Sequence, residues 1–207
     1  CLMPAAELTA VRTAAVTGAC VRALADDGPV AFLGTGVQAR SHLEMFAALG
    51  LDEVTVWGRR SSAVRAVVDW AAEAVPGLRI RAAASREAAV RDSRTLVSGL
   101  SIGLTDTRLP VTWPRQDGLM LPLDYASTVS PEIAESAVVA ADDVRQFDAV
   151  RADRAKLGSF PRATHWTGHL LAGPRPPGRV VIANLGSGVC DLFIADAIAE
   201  TARERDL

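Results

Sequence analysis

The chain has 207 residues, of which 49% are hydrophobic and 22% charged, and its formal net charge is −2. This composition is typical of a globular protein with a sizeable core, and the nearly balanced charge argues against a nucleic-acid or membrane-surface partner. We expect no membrane span, because no apolar run approaches about 20 residues, and no signal peptide, because the charged n-region and the apolar h-region are both missing. The three cysteines, Cys1, Cys20 and Cys190, follow neither metal-ligand nor disulfide spacing. A reduced cytoplasm and a protein without a metal are therefore expected.

The hydrophobic pattern predicts helices and strands in regular alternation. The first half of the series is helix 7–26, strand 30–33, helix 38–48, strand 53–57, helix 62–74, strand 78–83, helix 85–91 and strand 95–99. After a loop containing prolines, it continues with strands 119–123 and 137–140, helix 143–156, loop 157–178, strand 180–183 and helix 188–205. This alternation predicts an α/β fold with a doubly wound parallel sheet.

The first predicted strand ends at a glycine-rich turn that is followed by a helical pattern. This order of strand, Gly-x-Gly-x-x-Ala turn and helix is what a Rossmann-type dinucleotide-binding crossover requires. The turn comprises Gly34, Thr35, Gly36, Val37, Gln38 and Ala39. The first glycine permits the sharp turn, the second lets the backbone approach a pyrophosphate, and the alanine keeps the helix close to the sheet. The alternative is a tight strand-to-helix turn with no ligand.

The residues after the second predicted strand indicate which dinucleotide would bind. An acidic residue there usually bonds the ribose 2′-hydroxyl of NAD(H), whereas arginine accommodates the 2′-phosphate of NADP(H). This chain has Arg59, Arg60 and Ser61 at that place, and no carboxylate. Because guanidinium groups match phosphate geometry, the sequence favours NADP(H) over NAD(H). A solvated basic turn would leave the preference open.

Five motifs in chain order resemble those of the ornithine cyclodeaminase/mu-crystallin family. They are Leu-Thr-Ala-Val-Arg-Thr-Ala-Ala at 8–15, Gly-Thr-Gly-Val-Gln-Ala-Arg at 34–40, Ser-x-Glu-Ala-x-Val at 85–90, the Pro-Gly-Arg turn within 173–179, and a glycine followed by an aspartate at 186–191. The resemblance implies a Rossmann domain inserted in a second lobe, used for dimerisation and substrate binding and built from both chain ends. We therefore predict residues 1–27 in that lobe, 28–157 in the Rossmann domain and 158–207 back in the lobe.

The resemblance also implies hydride transfer at the α-carbon of an amino acid or a cyclic imine by an NAD(P)-dependent oxidoreductase. A closely related alternative is a cyclodeaminase that recycles its NAD, and the competing functional class is a protein that binds NADP without catalysis. By the same resemblance, Arg12 would bind the substrate carboxylate, Asp124 would be the active-site carboxylate, and Asn184 would lie near the nicotinamide. The three histidines are not expected to be catalytic, and His42 is expected to face solvent.

The chain begins at a cysteine, and the first third of the family pattern, with its catalytic lysine, is not found in it. We expect the missing part to be a segment that is cut off before Cys1 or a separate small subunit. This chain and the missing part would form a pair, and two such pairs would form a homodimer. A third functional class follows from Cys1 itself. Self-cleavage would expose an N-terminal nucleophile for amide hydrolysis, in which the α-amine acts as the base.

Overall fold

Within the residues that the structure describes, eight short strands and eight helices alternate, except that the fifth strand follows the fourth without a helix between them. The computed structural model describes residues 4–153 and 156–205. The strands are β1 (Val30–Leu33), β2 (Glu53–Trp57), β3 (Arg79–Ala82), β4 (Thr95–Ser98), β5 (Leu119–Pro122), β6 (Val138–Ala141), β7 (His165–Trp166) and β8 (Val180–Ile182). The helices are α1 (Ala5–Leu24), α2 (Val37–Ala48), α3 (Ser61–Ala74), α4 (Arg86–Arg91), α5 (Pro131–Glu135), α6 (Val144–Ala152), α7 (Thr167–Leu171) and α8 (Gly188–Glu204).

All eight strands pair in one parallel sheet, in the order β3-β2-β1-β4-β5-β8-β6-β7. The strand order reverses between β1 and β4, and a doubly wound sheet binds its ligands beside this switch point. The sheet is covered on both faces, so alternate residues of β1 enter different cores. Phe32 packs with Phe46 of α2, whereas Leu33 packs in the second core with Ile133 and Phe147. The predicted α/β class with a doubly wound parallel sheet is confirmed.

The sheet continues past the predicted domain boundary at residue 157. β8 pairs with β5 on one side and β6 on the other, and β7 forms the edge next to β6. The segment 157–178, which we expected to be a loop, contains β7 and α7, and the five-residue helix α5 was not predicted. Residues up to 182 therefore complete the Rossmann sheet. The assignment of the two chain ends to a second lobe stays a prediction.

The prediction that His42 faces solvent is wrong, because its side chain is fully buried between α1 and the sheet. Its Nε2 lies 3.1 Å from Thr17 Oγ1, and its Nδ1 lies 2.7 Å from the carbonyl oxygen of Gln38. The ring also packs against Phe32 and Phe46, with centroids 5.2 Å and 6.2 Å away. Burial lowers the pKa of His42 to about 4. The side chain is thus a neutral core residue.

Arg179, at the end of the Pro-Gly-Arg turn, is buried and anchors a loop to the sheet. Its guanidinium donates hydrogen bonds to the carbonyls of Arg115 and Pro114, at 3.1 and 2.9 Å, and to Ser136 Oγ at 2.6 Å. A buried cation is tolerated only when its donors are satisfied in this way. This part of the family motif therefore supports the fold. No helix within the described residues is long and apolar enough to cross a membrane.

Candidate active site

A cleft runs across the carboxyl ends of β1, β4, β5 and β8. It consists of two adjoining cavities, of about 310 and 240 Å³, that meet at Gly99 and Leu100. The smaller cavity is lined by the glycine turn and the end of β2, and the larger by α1, Gln38 and the loop after β8. The sheet thus brings together the Gly-x-Gly turn and segments from both ends of the chain, at the place where open α/β sheets bind ligands.

The two glycines of the turn serve different steric needs. Gly34 has φ +138°, and a side chain there would place its Cβ 2.7 Å from the carbonyl oxygen of Gly99. Its amide donates a 2.8 Å hydrogen bond to the Trp57 carbonyl, which fixes the exit from β1. A Cβ on Gly36, by contrast, would meet no protein atom within 4 Å. Gly36 therefore leaves open space for a ligand beside the first turn of α2, and the buried Ala39 holds that helix against the sheet.

The residues of the turn fit the phosphates of a dinucleotide. The backbone amides at the start of α2 have no side-chain cap, so they are available to an anion at the positive end of the helix dipole. Gln38 Oε1 is buried without a hydrogen-bond donor, and its side chain lines the larger cavity. An unsatisfied buried acceptor is costly unless a ligand donates to it. Gly36 and Val37 are the residues that would hold the phosphates, whereas Gln38 would accept a hydrogen bond from a donor group of a ligand in the larger cavity.

The turn after β2 presents two guanidinium groups to the smaller cavity. Arg59 and Arg60 are exposed and line it together with Gly58, and no carboxylate is among its described lining residues. Ser61 begins α3 and lines a neighbouring cavity of about 410 Å³ with Trp57 and Arg59. The structure therefore leaves the side chains predicted to bind a 2′-phosphate free to contact a ligand.

Arg12 and Asn184 lie in the larger cavity, as their predicted roles require. Arg12 reaches from α1 to α8, where its Nε donates a 2.8 Å hydrogen bond to Asp191 Oδ1. Asn184 follows β8, and its Oδ1 accepts a 2.7 Å hydrogen bond from Thr167 Oγ1 of α7. The structure thus brings Arg12, Gln38 and Asn184 to one cavity, although 172 residues separate the first from the last along the chain.

Asp124 is buried, and the structure does not place its carboxylate among the cleft-lining residues. Its Oδ2 accepts hydrogen bonds from the Leu100 amide at 3.0 Å and from Thr128 Oγ1 at 2.7 Å, while Oδ1 has no donor. Burial raises the pKa of Asp124 to about 6. In this arrangement Asp124 supports the Leu100 loop between the two cavities. Its predicted role as the active-site carboxylate stays a prediction. The predicted nucleophile Cys1 lies outside the described residues, and its role also stays a prediction.

Sequence reasoning missed Asp142, which organises the loop after β8. The carboxylate follows β6 and accepts hydrogen bonds from the amides of Leu185 at 2.9 Å and Gly186 at 2.7 Å. The available signal was its position directly after an apolar strand, at the edge where ligands bind. Tyr125 was missed as well. It lines the larger cavity with a φ of +57°, which is strained for a residue other than glycine.

The parallel sheet, the Gly-x-Gly turn at its switch point and the cleft beside that turn define an α/β protein of the Rossmann type. The family model for the ornithine cyclodeaminase/mu-crystallin family matches residues 1–101. This match includes the motifs at 8–15, 34–40 and 85–90, and it confirms the predicted resemblance to this family.

Individual relatives agree with this resemblance. The nodulation efficiency protein NfeD of Rhizobium meliloti is 28% identical over 218 residues, which span the whole of this chain and 66% of the relative. The crystal structure of CmnK superposes with a TM-score of 0.80 at 27% identity, covering 98% of this chain and 64% of CmnK. The Δ1-pyrroline-2-carboxylate reductase of Thermococcus litoralis, solved with NADH and L-proline, gives a TM-score of 0.79 at 17% identity over 97% of this chain and 67% of that one. This chain therefore spans about two-thirds of the length of these proteins.

Proposed function

We propose that the protein is an oxidoreductase that transfers hydride between NADP(H) and the α-carbon of an amino acid or an imine. The observation that carries this proposal is the continuous cleft, which joins an open Gly-x-Gly turn to a cavity containing Arg12 and Asn184. A hydride can pass between two ligands only when both occupy one cavity. The pyrroline-carboxylate reductase structure, which contains NADH and L-proline, supports the same class of chemistry.

The chain's own residues have separate tasks in this proposal. The open backbone at Gly36 and the first turn of α2 would hold the pyrophosphate, and Arg59 and Arg60 would bind a 2′-phosphate. Arg12 would bind the substrate carboxylate, so that the α-carbon lies beside Asn184. The nicotinamide, when bound, supplies or accepts the hydride.

Hydride exchange with a panel of cyclic imines, iminosuccinate and amino acids tests the proposal, with NADPH oxidation or NADP+ reduction followed by absorbance. Gly36→Val should weaken NADPH binding about tenfold or more, because its side chain would occupy the space through which a pyrophosphate approaches. Gly77→Val is the matched control, since a Cβ there also meets open space but lies away from the cleft. Absence of hydride transfer with the whole panel would leave an NADP-binding protein without catalysis. Equal losses in both variants would contradict the assignment of the turn.

The cofactor preference gives a separate prediction. The double variant Arg59→Ala, Arg60→Ala should weaken NADPH binding about tenfold or more, because each charge-assisted hydrogen bond to a phosphate contributes about 1.5 kcal/mol. NADH has no 2′-phosphate, so its affinity should change little. Titration of each cofactor by fluorescence measures both effects, and Arg22→Ala, at the opposite end of the sheet, is the control. Tighter binding of NADH than of NADPH by the parent protein would contradict this preference.

The outer surface of α8 supports the proposed second lobe. The helix has no buried residue, and Leu192 and Phe193 are 69% and 71% exposed. An apolar surface of this kind usually marks an interface. We propose that a further segment of roughly 100 residues packs there, about the size of a small domain, and that the assembly forms a homodimer. Sedimentation of the 207-residue chain as a stable monomer, with no accompanying peptide by mass spectrometry, would contradict this.

A further inference from the structure

The guanidinium of Arg12 is held in one orientation by groups that the sequence places far from it. Its side chain is only 15% exposed, and its Nε donates to Asp191 Oδ1 at 2.8 Å. Neither Nη1 nor Nη2 has a hydrogen-bond acceptor among the described residues. The ion pair therefore occupies one edge of the guanidinium and leaves the terminal Nη1–Nη2 edge available.

Gly186 lies beside the terminal edge of this guanidinium. Its φ is +101°, and a Cβ at this position would lie 2.9 Å from Nη1 and 3.0 Å from Nη2 of Arg12. A side chain at position 186 would therefore collide with the terminal edge of the guanidinium, which glycine leaves clear. The loop itself is fixed by Asp142, which accepts the amides of Leu185 and Gly186.

We infer that Asp191 and Gly186 are positioning residues, which orient Arg12 so that its terminal edge binds the substrate carboxylate in a bidentate pair. This inference rests on the proposed function, because that function requires a carboxylate at Arg12. A fixed planar fork loses less conformational entropy on binding than a free side chain, and bidentate pairing depends on its orientation. Asp191 and Gly186 act through Arg12 and do not themselves contact the substrate.

The first measurement separates positioning from a general structural effect. Asp191→Asn should raise KM for the carboxylate substrate about tenfold, while kcat and the dissociation constant of NADPH change less than about twofold, because binding is weakened equally in the ground state and the transition state. Asp191→Glu, which keeps the charge, should restore part of the loss. Gly186→Ala should raise KM at least as much, since it displaces the guanidinium. The matched controls are Asp196→Asn on the exposed side of α8 and Gly188→Ala, where a Cβ meets open space.

The second measurement is a double-mutant cycle with Arg12→Lys. Once the planar fork is lost, Asp191→Asn should have almost no further effect on KM, because residues that act as a unit are not additive. Independent, additive effects would overturn the inference. A variant that lowers kcat and NADPH affinity together would also overturn it, since that pattern indicates a general loss of structure.

A calorimetric titration of L-proline into the protein saturated with NADP+ distinguishes failure of this inference from failure of the proposed function. Binding that weakens in Asp191→Asn and Gly186→Ala, without hydride transfer to any substrate, supports the positioning role and refutes the oxidoreductase. If hydride transfer occurs and neither substitution changes its kinetics, the oxidoreductase is supported and the positioning role is refuted. If the parent protein neither binds L-proline nor transfers hydride, both the positioning role and the oxidoreductase are refuted.

Discussion

Ionisation of Asp124 should lower the free energy of unfolding by about 3 kcal/mol between about pH 4 and pH 6, and Asp124→Asn should abolish this decrease. Burial raises the pKa of Asp124 from 3.8 to about 6, so in this window the folded state binds more protons than the unfolded state. The stability contributed by this group is therefore greatest at low pH and decreases as the pH rises through the folded pKa. Asparagine keeps an acceptor for the Leu100 amide and cannot ionise. Relative to the parent, the variant should thus gain stability as the pH rises.

Urea unfolding at a series of pH values from 4 to 8 measures this difference, since the free energy extrapolates linearly with denaturant. Asp69→Asn, on the exposed face of α3, is the control and should shift the profile little. A difference between Asp124→Asn and the parent that stays constant with pH would show that the carboxylate titrates normally. It would then be accessible to solvent in the folded protein, and a direct role in the cleft would become the better explanation.

His42→Gln should have the opposite pH dependence, with a similar magnitude. Burial lowers the pKa of His42 from 6.5 to about 4, so the unfolded state binds the extra proton between these values. The buried neutral ring therefore contributes stability that is present above pH 6.5 and is lost as the pH falls towards 4, by about 3 kcal/mol in total. At neutral pH the variant should be less stable than the parent protein, because packing against Phe32 and Phe46 is lost. Near pH 4 this difference in stability should be much smaller.

The same urea series measures this second effect, with the exposed His169→Gln as the control. The contributions of Asp124 and His42 have opposite signs in overlapping pH windows, so in the parent protein they largely offset each other. Each single variant should reveal the slope of the other group. Parallel profiles for His42→Gln and the parent would mean that the imidazole is protonated normally and is not enclosed in the core.

Local patterns determined most of the fold and the Gly-x-Gly turn. The strand predicted at 53–57 is β2, the helix predicted at 38–48 begins one residue earlier as α2, and the switch point lies at the Gly-x-Gly turn, as expected. These features follow from the hydrophobic period and from glycine stereochemistry, which act over a few neighbouring residues. The five motifs that carry the resemblance to the ornithine cyclodeaminase/mu-crystallin family are likewise short runs of sequence.

The tertiary structure decided what depends on residues far apart in the chain. It inserts β8 between β5 and β6, buries His42 against Thr17, and turns the Asp124 carboxylate towards Leu100 instead of into the cleft. It also pairs Arg12 with Asp191 across 179 residues. No periodicity encodes such choices, because an aspartate after a strand can point into the cleft or below it with the same local sequence. Packing and hydrogen-bond satisfaction select between these orientations only when the whole sheet has formed.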